Sequence, residues 1–276
     1  MRRITTLIAV STLAVGAATA QDSNELSIDG APMVTEVAAP AHMENVDTIY
    51  SGWRFRSVET QSLEMDDFDN PAFVFVDKGI DLFDAVDGSE GKACASCHED
   101  VAEFAGLRTK LPKVQDGELV TMEELVNGCR TERMGAEPWK WSGGDMTAMT
   151  ALIGLQSRGM PIDVAIDGDA APFWEKGKEL YYTRVGQLDM ACSNCHEDNY
   201  GVMIRADHLS QGQINGFPTY RLKNAKLNSS HGRFKGCMKN IRAEPYKEGG
   251  EKFKALELYL ASRGNGLSVE TPSVRN

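Results

Sequence analysis

The pentapeptide C-x-x-C-H occurs twice, as Cys94-Ala95-Ser96-Cys97-His98 and Cys192-Ser193-Asn194-Cys195-His196, and each copy is followed by one lone cysteine, Cys129 or Cys237. Together these use all six cysteines of the chain. The spacing is the signature of covalent c-type haem attachment. Two thiols reach the vinyl groups of one macrocycle, and the next residue lies beneath the iron as proximal ligand. A zinc site would want a second ligand pair at regular spacing. A thioredoxin-type motif would want a βαβ context. The sequence offers neither, so it predicts two covalently bound haem c groups, on Cys94 and Cys97 and on Cys192 and Cys195.

The N-terminus reads as an export signal over residues 1–20: Arg2 and Arg3, an apolar run from Ile4 to Ala18, then the small-residue site Ala18-Thr19-Ala20. The run is too short to span a bilayer. No other stretch is long and apolar enough, so the expectation is a periplasmic protein without a membrane span. Haem of this type is attached after export of the unfolded chain, which favours the general secretory route over the twin-arginine one. A net charge of -11 over 276 residues argues against nucleic acid as a partner.

The halves repeat. Lys78-Gly79-Ile80-Asp81-Leu82-Phe83 precedes the first motif, and Lys176-Gly177-Lys178-Glu179-Leu180-Tyr181 precedes the second. Ala136-Glu137-Pro138-Trp139-Lys140 answers Ala243-Glu244-Pro245-Tyr246-Lys247, and Ser157-Arg158-Gly159 answers Ser262-Arg263-Gly264. Spacing drifts only between each motif and its lone cysteine, the pattern of a duplication with one variable loop. Phe253, Leu256, Tyr259 and Leu260 recur at helical spacing, as do Met149, Leu152 and Ile153, and both sets read as core. The predicted fold is mainly α: two tandem cytochrome c-like haem domains related by duplication, at 76–160 and 173–276. A linker at 161–172 joins them, and an irregular N-terminal extension at 21–75 wraps the domains or meets a partner.

Met and His are the common sixth ligands of such haems. The first half offers Met122, Met134, Met146, Met149 and Met160; the second offers Met203 and Met238. None aligns between the halves, whereas Cys129 and Cys237 do. A thiolate would stabilise ferric iron and lower its potential. One lone cysteine per haem therefore points to axial pairs His98/Cys129 and His196/Cys237. The alternative is a Cys129–Cys237 disulfide. His208 and His231 are rival ligands in the second half; His42, in the extension, carries no signal.

The halves differ in charge. From Arg205 to Lys239 seven basic residues face only Asp207, whereas from Val101 to Arg130 four basic residues face five acidic ones. Arg233-Phe234-Lys235-Gly236-Cys237 stands where the first half has Leu125-Val126-Asn127-Gly128-Cys129. A basic field concentrates anions, and a fixed guanidinium suits oxyanions. Arg233, with Lys235 beside it, is the candidate anion-binding residue. The second haem is assigned to chemistry and the first to structure or electron relay.

On these residues the chain resembles the SoxA family, the dihaem subunits of the SoxAX cytochromes of bacterial sulfur oxidation. The resemblance rests on the two haem motifs, on Gly232-Arg233-Phe234-Lys235-Gly236-Cys237-Met238 and on Arg242-Ala243-Glu244-Pro245-Tyr246. It implies an L-cysteine S-thiosulfotransferase with Cys237 as catalytic ligand, able to carry a persulfide, and Arg233 holding thiosulfate. It implies a SoxX-type monohaem partner, the SoxYZ carrier as second substrate and a soluble cytochrome c as electron acceptor. The rival functions are a plain dihaem electron carrier and a dihaem peroxidase.

Overall fold

The structure, a computed structural model, describes residues 25–276 apart from Ala206. The expected export signal, residues 1–20, and the next four residues lie outside the described part. The extension opens with two small antiparallel ribbons, β1 (Ser27–Ile28) with β2 (Ala31–Pro32) and β3 (Glu36–Ala38) with β4 (Thr48–Tyr50). Helix α1 (Val58–Met65) follows, started by Ser57, whose hydroxyl accepts a hydrogen bond from the Thr60 amide. Met43, Val46 and Ile49 bury themselves against Leu267 near the other end of the chain.

The first half runs α2 (Phe73–Asp84), the first haem motif, a hairpin of β5 (Lys113–Gln115) and β6 (Glu118–Val120), then α3 (Met122–Arg133) and α4 (Gly144–Leu155). The hairpin turns on Asp116 and Gly117, both at positive φ, the backbone that a two-residue turn needs. At the head of α3 the Glu124 carboxylate accepts from the Thr121 amide at 3.0 Å. α4 is apolar nearly all round: Met146, Met149 and Leu152 are at most 3% exposed. Its closest neighbour is α2, where Gly79 leaves no room for a side chain, since a Cβ there would lie 2.7 Å from the Ala148 carbonyl oxygen.

The second half repeats this order. It runs α5 (Ala171–Tyr182), α6 (Cys192–His196), a ribbon of β7 (Met203–Ile204) and β8 (Asp207–His208), and a hairpin of β9 (Thr219–Arg221) and β10 (Lys226–Asn228). Then come α7 (Ser230–Asn240), α8 (Glu251–Ser262) and β11 (Ser273–Arg275), which pairs in parallel with β9. α5 packs on α8 through Gly177, where a Cβ would meet the Ala255 carbonyl oxygen at 2.1 Å. Phe253, Leu256, Tyr259 and Leu260 are buried, as their spacing predicts.

The halves interlock. Leu119 of β6, 1% exposed, belongs to the core of the second half, and Leu227 of β10 belongs to the core of the first. The Lys254 ammonium on α8 donates to the Leu119 carbonyl and to the Glu124 carboxylate, both at 2.8 Å. Between the halves His231 is fully buried, stacked on Trp141 with ring centroids 5.2 Å apart and 2.9 Å from the Glu257 carboxylate. The segment 161–172 is packed as well: Ile162 and Val164 sit in the second core, and the Ile162 amide donates to the Leu267 carbonyl.

Candidate functional site

The second haem motif folds into the one-turn helix α6. Asn194 accepts a hydrogen bond from the Ala191 amide at 2.9 Å and so closes the turn on itself. Its thiols, Cys192 and Cys195, and His196 border a cavity of about 320 Å³. The walls are largely apolar, with Leu180, Tyr181, Ile214, Phe217, Phe234 and Leu256 among them. α7 supplies the remaining chemistry. Its Ser229 cap accepts from the Gly232 amide at 3.1 Å. Phe234 and Met238, four residues apart, face the core, and Arg233 and Cys237, also four apart, border the cavity.

His196 is held from behind. Its Nδ1 donates to the Ser210 carbonyl oxygen at 2.7 Å, which turns the other ring nitrogen, Nε2, to the Cys237 thiol and makes it the atom that can meet a metal. Gly212, at φ +84°, lets the loop lie flat on the ring, since a Cβ there would come within 3.1 Å of the imidazole. Two thiols, a histidine held through Nδ1, a facing cysteine and apolar walls are a donor set and surroundings that can hold a covalently attached haem.

Electrostatics divides the two lone cysteines. Burial pushes the Cys237 thiol up, but Arg233, His196 and Arg221 outweigh it and bring the thiol down to about 7. Cys129 moves the other way: its burial raises it, and Arg133 only partly offsets this. Burial and the neighbouring cysteines raise Cys192 to about 12. The low-pKa thiol is thus the one beside the anion-attracting arginine.

The first motif is a short 3₁₀ turn at Cys94–Ser96, closed by Ser96 accepting from the Ala93 amide at 2.9 Å, the same device as Asn194. Its surroundings are more open, with Cys97 and Cys129 exposed. His98 Nδ1 faces the Glu103 carboxylate at 3.5 Å, and the ring leans on Phe104. All six cysteines are free, so no disulfide joins Cys129 to Cys237.

Known proteins fit this arrangement. The family model for the SoxA/TsdA cytochrome c domain matches residues 78–162. The L-cysteine S-thiosulfotransferase subunit SoxA of Paracoccus pantotrophus is 57% identical over 261 residues, covering 93% of this chain and 90% of its own. That of Rhodovulum sulfidophilum is 57% identical over 248 residues, covering 88% and 86%. The crystal structure of SoxXA from P. pantotrophus superposes with a TM-score of 0.89 at 57% identity, covering 93% of this chain and 99% of that one. The chain belongs to the SoxA family. It is a c-type cytochrome with covalently bound haem.

Within this SoxA-family chain the structure redistributes several expectations. Lys235 does not border the cavity; it reaches Glu248 at 3.4 Å. Of the rival ligands, His231 is sealed between the halves, whereas His208 borders the cavity. Arg108, counted above among the basic residues of the first loop, is a buried strut donating to the carbonyls of Leu111 and Ile214. Sequence reasoning missed Arg56 and Arg275, which reach the cavity from the extension and from β11. Nothing in their local sequence marks them, because only the tertiary fold brings them there. Arg56 pairs with Asp207, Arg221 also faces Asp207, and Arg275 pairs with Glu64 and Glu270. Arg233 has no carboxylate partner among the described residues. His42 is also not idle: it packs edge-on to Trp174 at 5.2 Å, and burial with the charge of Arg263 lowers it to about 4.

Proposed function

We propose that this chain is the dihaem subunit of a haem-dependent L-cysteine S-thiosulfotransferase, and that its chemistry takes place at the second haem. The reading has two tandem cytochrome c-like domains, at 76–160 and 173–276, related by duplication. Two haem c groups are attached at Cys94/Cys97 and Cys192/Cys195. Their axial pairs are His98/Cys129 and His196/Cys237. The substrates are thiosulfate and a cysteine thiol of a SoxYZ-type carrier. A SoxX-type monohaem cytochrome is the partner subunit and a soluble cytochrome c the acceptor, in the periplasm. The repeated element order and the paired glycines Gly79 and Gly177 support the duplication.

One observation carries the assignment. Cys237 shares a cavity with Cys192, Cys195 and His196 and with Arg233, which has no carboxylate partner among the described residues. Arg233 binds the oxyanion end of thiosulfate through paired N–H donors and leaves the sulfane sulfur toward Cys237. Joining the Cys237 sulfur to that sulfane sulfur releases the thiol proton and two electrons; the carrier thiol then attacks the sulfane sulfur and Cys237 leaves as the thiolate, as in thiol–disulfide exchange. Overall the carrier thiol and thiosulfate become a cysteine S-thiosulfonate, releasing one proton and two electrons. Haem, when bound, supplies one-electron acceptance, so more than one is useful for this two-electron oxidation. Arg56 and Arg221 share the one carboxylate of Asp207, so with Arg233 the cavity edge keeps an excess of positive charge, which draws the dianion in.

The test is thiosulfate- and carrier-dependent reduction of cytochrome c by the complex. Cys237→Ala should abolish it, and Cys129→Ala should leave a measurable rate. Full activity in the Cys237 variant would overturn the reading. Intact mass should show two haems and, in a persulfidated fraction, one reducible extra sulfur.

A further inference from the structure

His196 hangs on a three-residue loop, 210–212, whose carbonyl at Ser210 receives the Nδ1 proton. What holds that loop is Gln211, fully buried and two elements away from any haem motif. Its side-chain amide docks on the free edge of β4 as another strand would. The carbonyl oxygen accepts from the Tyr50 amide at 2.8 Å, and the amide nitrogen donates to the Thr48 carbonyl at 3.0 Å. On the other side Arg263 Nη2 donates to the Gln211 backbone carbonyl at 3.4 Å.

Arg263 itself is immobilised. It is fully buried, pairs with Glu197, the residue directly after His196, and lies 4.5 Å over the Tyr181 ring. One guanidinium therefore ties the end of the haem motif to the loop that faces its histidine. Among the described residues the first half has no such device. Arg158, which stands where Arg263 does in the repeat, pairs with Asp67, and His98 Nδ1 has only the half-exposed Glu103.

We propose that Gln211 is a positioning residue for His196, with Arg263 as its buttress: clamped between β4 and α8, it fixes the Ser210 carbonyl on Nδ1 and so sets the electron richness of the histidine offered to the second iron. A firm hydrogen bond to Nδ1 makes the imidazole a stronger donor and favours ferric iron, which lowers the potential. The N-terminal extension thereby acts on the second haem through two backbone hydrogen bonds. The inference rests on His196 as an axial ligand and needs neither Cys237 nor thiosulfate.

The experiment is a redox titration with electron paramagnetic resonance of the intact complex, in which the first haem is an internal reference. In Gln211→Ala and Arg263→Lys the second haem should titrate at a higher potential with shifted low-spin g values, and the first should not move. Arg158→Ala should leave the second haem unchanged. If Gln211→Ala does not accumulate as folded protein, Gln211→Met, which fills the space without charge and removes both hydrogen bonds to β4, reads the same quantity. An unshifted second haem in a folded variant, or equal shifts of both haems, would overturn the proposal. The functional reading fails instead on turnover by Cys237→Ala, so the two can be told apart.

Discussion

Arg233 stands one helical turn before Cys237 on α7, and no carboxylate among the described residues neutralises it, whereas Arg56, Arg221 and Arg275 on the same cavity all face one. The cavity holds an unspent positive charge beside its most acidic lone thiol.

Removing that charge should weaken anion binding more than it weakens the fold. A charge-assisted hydrogen bond is worth about 1.5–3 kcal/mol, which is about 10- to 100-fold in affinity. Arg233→Ala should raise the KM for thiosulfate by that factor. Lys113→Ala, on the first-half hairpin, should leave KM unchanged. Arg108→Ala is no control for this comparison, because it removes a buried strut between the halves. Steady-state kinetics at two salt concentrations would decide; equal KM values in Arg233→Ala and wild type would reject the role.

His231 should behave as a structural residue. It is buried against Trp141, pairs with Glu257 and accepts from the Gly249 amide at 3.0 Å. His231→Ala should cost about 2–4 kcal/mol, as breaking a buried polar network does. It should leave the haem absorption and resonance spectra as they are. Loss of a low-spin signal would make it a ligand after all.

Acid should favour this fold at one buried point. Burial raises Glu64 to about 8; Arg275 opposes this and the nearby Glu270 adds to it. Two buried carboxylates around one guanidinium retain a proton. The folded chain then holds more protons at this site than the unfolded one between the ordinary carboxylate range and about pH 8, so this contribution falls as pH rises through that window. Glu64→Gln, which stays neutral, should show a smaller drop in unfolding temperature from pH 5 to pH 8 than the wild type. An unchanged drop would show that Glu64 is ionised throughout.

Helix contact in each half depends on one glycine. Gly79→Ala and Gly177→Ala each force a methyl group against a carbonyl oxygen of the facing helix. Overpacking of this kind costs about 1–3 kcal/mol. Gly177→Ala should be the worse of the two, because its clearance is 2.1 Å against 2.7 Å. Denaturant unfolding of the two variants would rank them, and the reverse order would contradict the packing described.

The helical core from Phe253 to Leu260 and the close helix contacts at Gly79 and Gly177 were legible because apolar spacing and matched blocks are local patterns. That Arg233 and Cys237 share one side of a helix was legible because they lie four residues apart. Arg56, Arg275 and Gln211 were not, because they meet the site only across the tertiary fold. Lys235 misled for the complementary reason: two residues from Cys237 on a helix is the wrong side. The exchange of Leu119 and Leu227 between cores was hidden too, since a short hairpin reads the same whichever core receives it.

That exchange settles how the molecule can be handled. A fragment ending near residue 160 would leave Leu119 without the core that covers it. One beginning near 173 would lack Leu119 as well as Arg56 and the strand edge that holds Gln211. The matched blocks make the chain look divisible on paper, but neither piece carries a finished interior. Separate expression of the halves is therefore a poor way to assign the haems, and single substitutions in the whole chain are the sound one.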